Sequence, residues 1–282
     1  MPTPILKKEI LIPGKTSKML LKAPDIACKA RPGHFVMLRM SPSGERIPLT
    51  IADADAENGE ITIVYLVLGK STALLEQLNE GDSILDVCGP LGKPTNIVKQ
   101  GTVICVGGGT GIAAMHHIAK GHKKAGNRVV AIIGARSKDL LLFENELKSF
   151  ADEVLVSTDD GSYGHKGLVT ELLEARLKSD KDVKEVVAVG PVPMMDAVAK
   201  CTRPFEVPTT VSLNPIMVDG IGMCGACRVS VGGETRFACV DGPEFDGHKV
   251  DFAELRRRLG AYRKQEEVSF EKLNQEGAGN GK

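Results

Sequence analysis

The sequence has no apolar run of about 18 residues, the least that a membrane-crossing helix needs, so no span is expected. Net charge is missing too. With 36 basic and 36 acidic residues, nothing in the composition favours nucleic acid or an anionic membrane as partner. The opening MPTPILKKEI lacks the continuous apolar stretch of a secretion leader. These absences lead us to expect a cytoplasmic protein, in which the seven cysteines stay reduced and can serve as metal ligands. At 282 residues the chain is long enough for about two domains with real cores.

The most informative stretch is VDGIGMCGACRVSVGGETRFAC, residues 218–239. Cys224 and Cys227 form a C-x2-C pair among glycines, Cys239 lies beyond an eleven-residue gap, and Asp219 stands four intervening residues ahead. That is the spacing of a plant-type [2Fe–2S] loop, C-x4-C-x2-C…C, with aspartate in place of the first cysteine. Glycines such as Gly220, Gly222 and Gly225 let backbone N–H groups turn toward sulfur. The expected cluster ligands are Asp219, Cys224, Cys227 and Cys239. Three other readings stand beside this one: a zinc site, although its short spacings normally come in pairs; a disulfide, disfavoured without a leader; and three packed thiols.

Residues 1–98 read as short strands broken by turn residues (KEILIPG, SKMLLKAP, HFVMLRM, RIPLTIAD, EITIVYLVLG and SILDVCG), the pattern of a small antiparallel β-barrel. One helix is expected in STALLEQLNEG, capped by Ser71 or Thr72 and ending before Gly81. Gly69, Lys70, Ser71 and Thr72 at its start, with Arg46 nearby in Arg46-Ile47-Pro48-Leu49-Thr50, offer donors and charge to a pyrophosphate. An ordinary turn and helix cap would read the same way.

Residues 99–213 change period. TVICVGGG, RVVAIIGA, EVLVSTDD and EVVAVGP are continuously apolar, as strands buried on both faces of a parallel sheet must be. Helices are expected over about 111–125, 138–150, 166–179 and 191–202, and PTTVSLN supplies a fifth strand. This is an α/β nucleotide-binding pattern with ligand at the carboxyl ends of the strands. The turn Gly107-Gly108-Gly109-Thr110-Gly111-Ile112 fits G-x-G-x-x-A only through Gly109, Gly111 and Ala114. At the end of the second strand, Gly134-Ala135-Arg136-Ser137 has no acidic residue for a ribose hydroxyl, which leaves NAD against NADP open. Asp159, Asp160, Gly190, Pro191 and Met194 mark the other strand ends, where a βα turn needs glycine as much as a nicotinamide does. None of the six histidines is read as a ligand, and Cys28, Cys88, Cys105 and Cys201 read as small core residues. Residues 214–250 form the cluster segment and 251–282 a charged helix, either docked on a partner or solvated at the surface, and a tail, with QEGAGNGK expected to be disordered.

Barrel, nucleotide domain and cluster loop, in that order, resemble the ferredoxin–NADP reductase superfamily over essentially the full length. The branch is that of dihydroorotate dehydrogenase electron-transfer subunits. Nearest is the family of small (alpha) subunits of NADH-dependent reduced ferredoxin:NADP oxidoreductases, also called ferredoxin–NADP reductase subunit alpha or sulfide dehydrogenase subunit beta. RIPLTIAD, the GKST helix start, VGGGTGIA, STDDGSYGHKG, AVGPVPMM and ACVDGPEF carry the likeness.

The resemblance implies FAD in the barrel. Arg46 to Thr50 matches the R-x-x-[ST] flavin motif, with Thr50 beside flavin N5 and Pro48 and Leu49 along the ring. Tyr65, Leu66, Val67, Leu68 and Gly69 to Thr72 would hold the rest. Gly107 to Ile112, with Arg136 and the later strand ends, would hold NAD(H), without excluding NADP(H). It implies a larger flavin and iron–sulfur subunit as partner, where ferredoxin and NADP react, and flavin-based electron bifurcation. Met217, Ile221 and Met223 are candidates for that contact or for packing the loop. Dihydroorotate dehydrogenase electron-transfer subunits carry cysteine where this chain has Asp219, which favours the small (alpha) subunit family.

Overall fold

The structure, a computed structural model, describes residues 2–279. Seven strands form the first layer: β1 (Thr3–Ile12), β2 (Thr16–Lys22), β3 (Phe35–Arg39), β4 (Ile47–Asp55), β5 (Glu60–Leu66), β6 (Ser83–Ile84) and β7 (Asp86–Leu91). They pair in the order β6-β1-β2-β5-β4-β3-β7, every pair antiparallel. Only Leu85 separates β6 from β7, so the two edges of this sheet adjoin and the barrel nearly closes. Alternating inward residues such as Met19, Leu21, Ile51, Ile61 and Ile63 fill it. A four-residue helix, α1 (Pro24–Ala27), plugs one side.

Helix α2 (Lys70–Gln77) begins earlier than the sequence suggests, with Gly69 as its N-cap. The hydroxyl of Thr72 explains the shift: it accepts from the amides of Leu68 and Gly69, so the cap closes backward from the first turn. Gly81 lies beyond the end, at φ +90° in the turn that follows.

The second sheet combines β8 (Thr102–Gly108), β9 (Arg128–Ala135), β10 (Glu153–Thr158), β11 (His165–Lys166), β12 (Val183–Val189), β13 (Thr209–Ser212) and β16 (Glu244–Asp246) in the order β11-β10-β9-β8-β12-β13-β16. Only β16 runs antiparallel to its neighbour. Helices α3 (Gly111–Lys124), α5 (Val169–Ser179) and α6 (Val192–Thr202) cover it. The helix expected over 138–150 is instead a 3-10 turn, Lys138–Leu140, and a short α4 (Glu144–Lys148). Phe143, at φ +59°, breaks it, because a left-handed residue cannot continue a right-handed helix.

Between β13 and β16 the chain makes the hairpin β14 (Arg228–Val231) and β15 (Glu234–Phe237) and the turn α7 (Ala238–Asp241). The charged tail is two helices, α8 (Phe252–Leu259) and α9 (Arg263–Gly279). Phe252 and Leu255 are buried in the nucleotide-domain core, so α8 is no solvated appendage, and α9 lies against α2. The irregular end expected for QEGAGNGK falls partly within α9, and its last three residues lie outside the described residues. Among the described residues no helix is long and apolar enough to cross a membrane.

Polar contacts from α3 join the layers, beside an apolar group of Ala52, Val64 and Ala113. His117 on α3 hydrogen-bonds through Nδ1 to the carbonyl of Ile51 on β4 at 3.0 Å, and Lys120 pairs with Asp53 at 2.6 Å. His116, one residue earlier, lodges between Phe143 and Phe150. On the far side, Glu244 faces a cavity of about 240 Å³ where all three parts of the chain meet. Burial pushes its carboxyl up to about 7, against the Thr95 hydroxyl that donates to it at 2.6 Å and with the help of nearby Glu185. Glu185 itself accepts from Gln100 and Thr210.

Replacing His117 with alanine leaves the buried Ile51 carbonyl without its partner and is expected to cost about 1–3 kcal/mol in urea unfolding. For Glu244 the sign follows from the raised value. The neutral form is favoured in the fold, so its contribution is full below about pH 4.3 and is lost as pH rises through 7, by about 3 kcal/mol. Urea midpoints taken between about pH 5 and pH 9 should fall in the parent protein and flatten in Glu244→Gln; equal slopes would contradict this role.

Candidate functional site

The four residues expected to hold the cluster fall into two pairs. Cys227 and Cys239 are buried, with their sulfurs 3.2 Å apart, and the Cys239 amide points at the Cys227 sulfur at 3.5 Å. Burial, and then the neighbouring Cys227 thiol, push the Cys239 thiol up to about 12. A bound cation would invert that preference of Cys239. The second pair is Asp219 and Cys224, on the exposed side of the loop. The Asp219 carboxylate accepts the amides of Ile221 at 3.0 Å and Cys224 at 2.6 Å, which hold it below the usual carboxylate range. The Cys224 sulfur faces the Ala226 amide at 3.5 Å.

Two pairs of donors with amides directed at sulfur fit a two-iron centre, which takes two ligands on each iron. Among the described residues no three or more His, Cys, Asp or Glu side chains converge as a single-ion site. Gly220 shows why glycine is required: it sits at φ +77°, and a Cβ there would lie 2.6 Å from the Met37 side chain.

The loop rests on the barrel. Phe35 and Met37 of β3 pack in one apolar group with Met217, Cys227, Ala238 and Cys239. Across the strand pair, Phe35 stands opposite Thr50 and Met37 opposite Pro48, with Leu49 between them opposite Val36. One strand therefore separates the flavin-motif residues from the buried thiol pair. Arg46 is exposed at the start of this run.

The other barrel candidates divide. Tyr65 is 1% exposed and donates its hydroxyl to Glu76 at 2.7 Å, so only its backbone is available to a cofactor. Leu66 and Leu68 are exposed, and Val67 is half-buried. Ser71 donates to Glu45 and Thr72 serves the cap, which leaves the Lys70 side chain and the free amides of the first turn of α2 to meet an anion.

The nucleotide candidates also divide. A Cβ on Gly111 would lie 2.6 Å from the Val189 carbonyl, and one on Gly108 would lie 2.5 Å from the sulfur of Met194. A Cβ on Gly190 would meet the Gly108 backbone at 3.1 Å. These positions, with Pro191, pack the turns after β8 and β12 against each other. Gly109 is different: at φ +54° it faces open space, with Thr110 and the buried Ile112 leading into α3. Arg136, Asp159 and Asp160 are exposed at the ends of β9 and β10. The Ser162 amide and hydroxyl hold Asp160 low, and Ser162 also accepts from the Lys138 amide at 2.8 Å.

The three apolar loop residues divide, and the expectation for two of the cysteines needs correction. Met217 is buried and packs the loop, whereas Ile221 is 54% and Met223 82% exposed. Val218, not singled out by sequence, is 52% exposed beside them. Cys105 is buried and Cys201 half-buried, but Cys28 and Cys88 are exposed. His117, Glu244 and two arginines at the loop, Arg228 and Arg258, carried no sequence signal, because each is an ordinary residue within a longer polar or helical pattern.

Residues 214–251 match the iron–sulfur cluster binding domain of dihydroorotate dehydrogenase B, and residues 105–200 match the oxidoreductase NAD-binding domain. The chain is 49% identical over 266 residues to the Thermotoga maritima dihydroorotate dehydrogenase B (NAD(+)), electron transfer subunit homolog, covering 94% of each. To the electron transfer subunit of that enzyme from Bacillus caldolyticus it is 37% identical, over 85% of this chain and 94% of the relative. A solved structure of the NADH-dependent reduced ferredoxin-NADP oxidoreductase, described in terms of flavin-based electron bifurcation, superposes with a TM-score of 0.91 at 47% identity, over 97% of this chain and 98% of that one. A ferredoxin NADP+ reductase from Neisseria gonorrhoeae, with bound FAD and NADP, shares the fold at a TM-score of 0.57 and 15% identity, over 73% and 91% of the two chains. With two thirds and more of its length aligned at such identities, the chain belongs to the dihydroorotate dehydrogenase B-type electron transfer subunits of the ferredoxin–NADP reductase superfamily, oxidoreductase components that use FAD, NAD(H) and a [2Fe–2S] cluster.

Proposed function

We propose that this chain is the small subunit of a cytoplasmic NADH-dependent reduced ferredoxin:NADP oxidoreductase, passing electrons to or from a larger flavin and iron–sulfur subunit that handles NADP and ferredoxin. The observation that carries this reading is full-length similarity to the bifurcating structure combined with an aspartate at the position of the first cluster ligand. The names of the relatives favour a second reading, the electron transfer subunit of a dihydroorotate dehydrogenase. Asp219 weighs against it.

When bound, a flavin exchanges a hydride with nicotinamide and single electrons with a cluster. The chain's part is to bind and orient. Asp219 and Cys224 would hold one iron and Cys227 and Cys239 the other. The Ile221 and Cys224 amides steady the carboxylate, and Phe35 and Met37 keep water from the buried thiols. Pro48, Leu49 and Thr50 would line the flavin, with Thr50 nearest its reactive edge and acting by position, since hydride transfer needs no acid or base. The free amides of α2 and the side chains of Arg46 and Lys70 would meet the diphosphate. The turn at Gly108 to Ile112, open at Gly109, would take the dinucleotide, with Arg136, Asp159, Asp160, Gly190, Pro191 and Met194 around it. Docking of α3 on β4 through His117 supports this reading, because the loop proposed for the dinucleotide opens α3 and the residues proposed to line the flavin precede Ile51 on β4.

The protein purified with its partner should contain flavin, with iron and acid-labile sulfide in equal amounts. NADH and reduced ferredoxin together should reduce NADP, neither donor alone should do so at a comparable rate, and dihydroorotate should do nothing. Turnover with dihydroorotate would transfer the chain to the second reading, and a colourless preparation containing zinc would sink both. In this chain separated from its partner, Cys227→Ser is expected to abolish most of the sulfide content while leaving flavin bound, because the barrel core shares no residue with the apolar group around Cys227.

A further inference from the structure

The matched iron–sulfur domain ends at residue 251, yet the next helix reaches back to the cluster loop. Helix α8 is fixed at its start by the Asp251 carboxylate, which accepts from the Glu254 amide at 2.8 Å, and along its length by burial of Phe252 and Leu255 beside Val229. Two arginines on it point to different places. Arg256 donates to Asp196 on α6 at 2.9 Å, and Arg258 donates through Nη2 to the carbonyl of Ala226 at 3.0 Å. Ala226 lies between Cys224 and Cys227. Arg228 holds the preceding carbonyl, that of Gly225, at 3.1 Å.

Arg258 differs from an ordinary clamp. Its Nε is buried and has no hydrogen-bond partner, an arrangement that costs stability unless the charge is compensated by something nearby. A two-iron cluster held by three thiolates and a carboxylate carries net negative charge, and one-electron reduction adds another. A fixed cation beside it therefore favours the reduced form more than the oxidised one.

We infer that Arg258 is a positioning residue for the cluster loop, whose guanidinium, delivered from the C-terminal helix, raises the reduction potential of the [2Fe–2S] centre. The inference rests on assigning the cluster to this loop. Because Arg256 ties the same helix to α6, the helix that follows the Gly190-Pro191 turn, α8 also braces the cluster loop against the nucleotide domain.

The test is an anaerobic redox titration of the cluster EPR signal in the full chain with its co-purifying partner. Four proteins are compared: parent, Arg258→Gln, Arg258→Lys and, as a control on the same helix, Arg256→Gln. Arg258→Gln keeps a donor and loses the charge. It should assemble the cluster and lower the reduced-to-oxidised ratio at the parent midpoint by at least about threefold, roughly 28 mV at 59 mV per tenfold change for one electron. Arg258→Lys keeps the charge and should stay within about 1.5-fold of the parent, as should Arg256→Gln. Parent-like midpoints in both Arg258 variants, or equal negative shifts in both, would overturn the inference. Should the glutamine variant lose its cluster, the lysine variant decides: an unshifted midpoint supports the charge, and a threefold fall contradicts it. A parent protein without any cluster would instead refute the assignment of the loop.

Discussion

The pairing of β3 with β4 is the constraint on which the rest depends. Side chains of β3 pack against the buried thiols through Phe35 and Met37, and its backbone is zipped to the strand that carries Pro48, Leu49 and Thr50. Neighbouring strands lie about 4.8 Å apart, so the strand proposed to line the flavin and the thiols proposed to hold the cluster are held at a separation set by one strand rather than by a flexible linker. A slip of one residue would turn Phe35 and Met37 away from the cysteines and expose the loop's apolar floor. Electron transfer asks of a protein mainly that its carriers be fixed near one another. In the proposed arrangement a backbone ladder does it.

The nucleotide domain is held to the same strand from the other side. His117 and Lys120 on α3 meet Ile51 and Asp53, which follow Thr50 directly on β4. Burial keeps His117 neutral, below the usual histidine range, so the seam does not depend on its charge. The loop that opens α3 thus inherits its place from β4, as the cluster loop does from β3. The C-terminal helices add to this frame: α8 touches the cluster loop and α6, and α9 lies on α2.

Much of this was legible in the residues. Continuous apolar runs announced the parallel strands, and alternating short ones the barrel, because burial on two faces and on one face leave different periods. The cysteine spacing marked the cluster loop. Local rules failed where distant contacts decide. Phe143 breaks an otherwise helical 138–150, and its ring packs on His116. Of the glycines read as candidates for the dinucleotide, Gly108, Gly111 and Gly190 serve mainly to let two turns approach, and Gly109 is open. Arg258 and Glu244 were invisible, because nothing in a run such as LRRRLG or DGPEFD tells which charge will be turned inward.

The central claim is that this chain alone holds a path from nicotinamide to the cluster across one strand. The most direct test mixes the protein with NADH under anaerobic conditions and freezes it at successive times for visible and EPR spectra. The account predicts that the cluster signal appears within the first turnover, together with the loss of flavin absorbance. Flavin bleaching with a cluster that stays oxidised until a chemical reductant is added would contradict it, since carriers fixed on adjacent strands would then fail to exchange electrons.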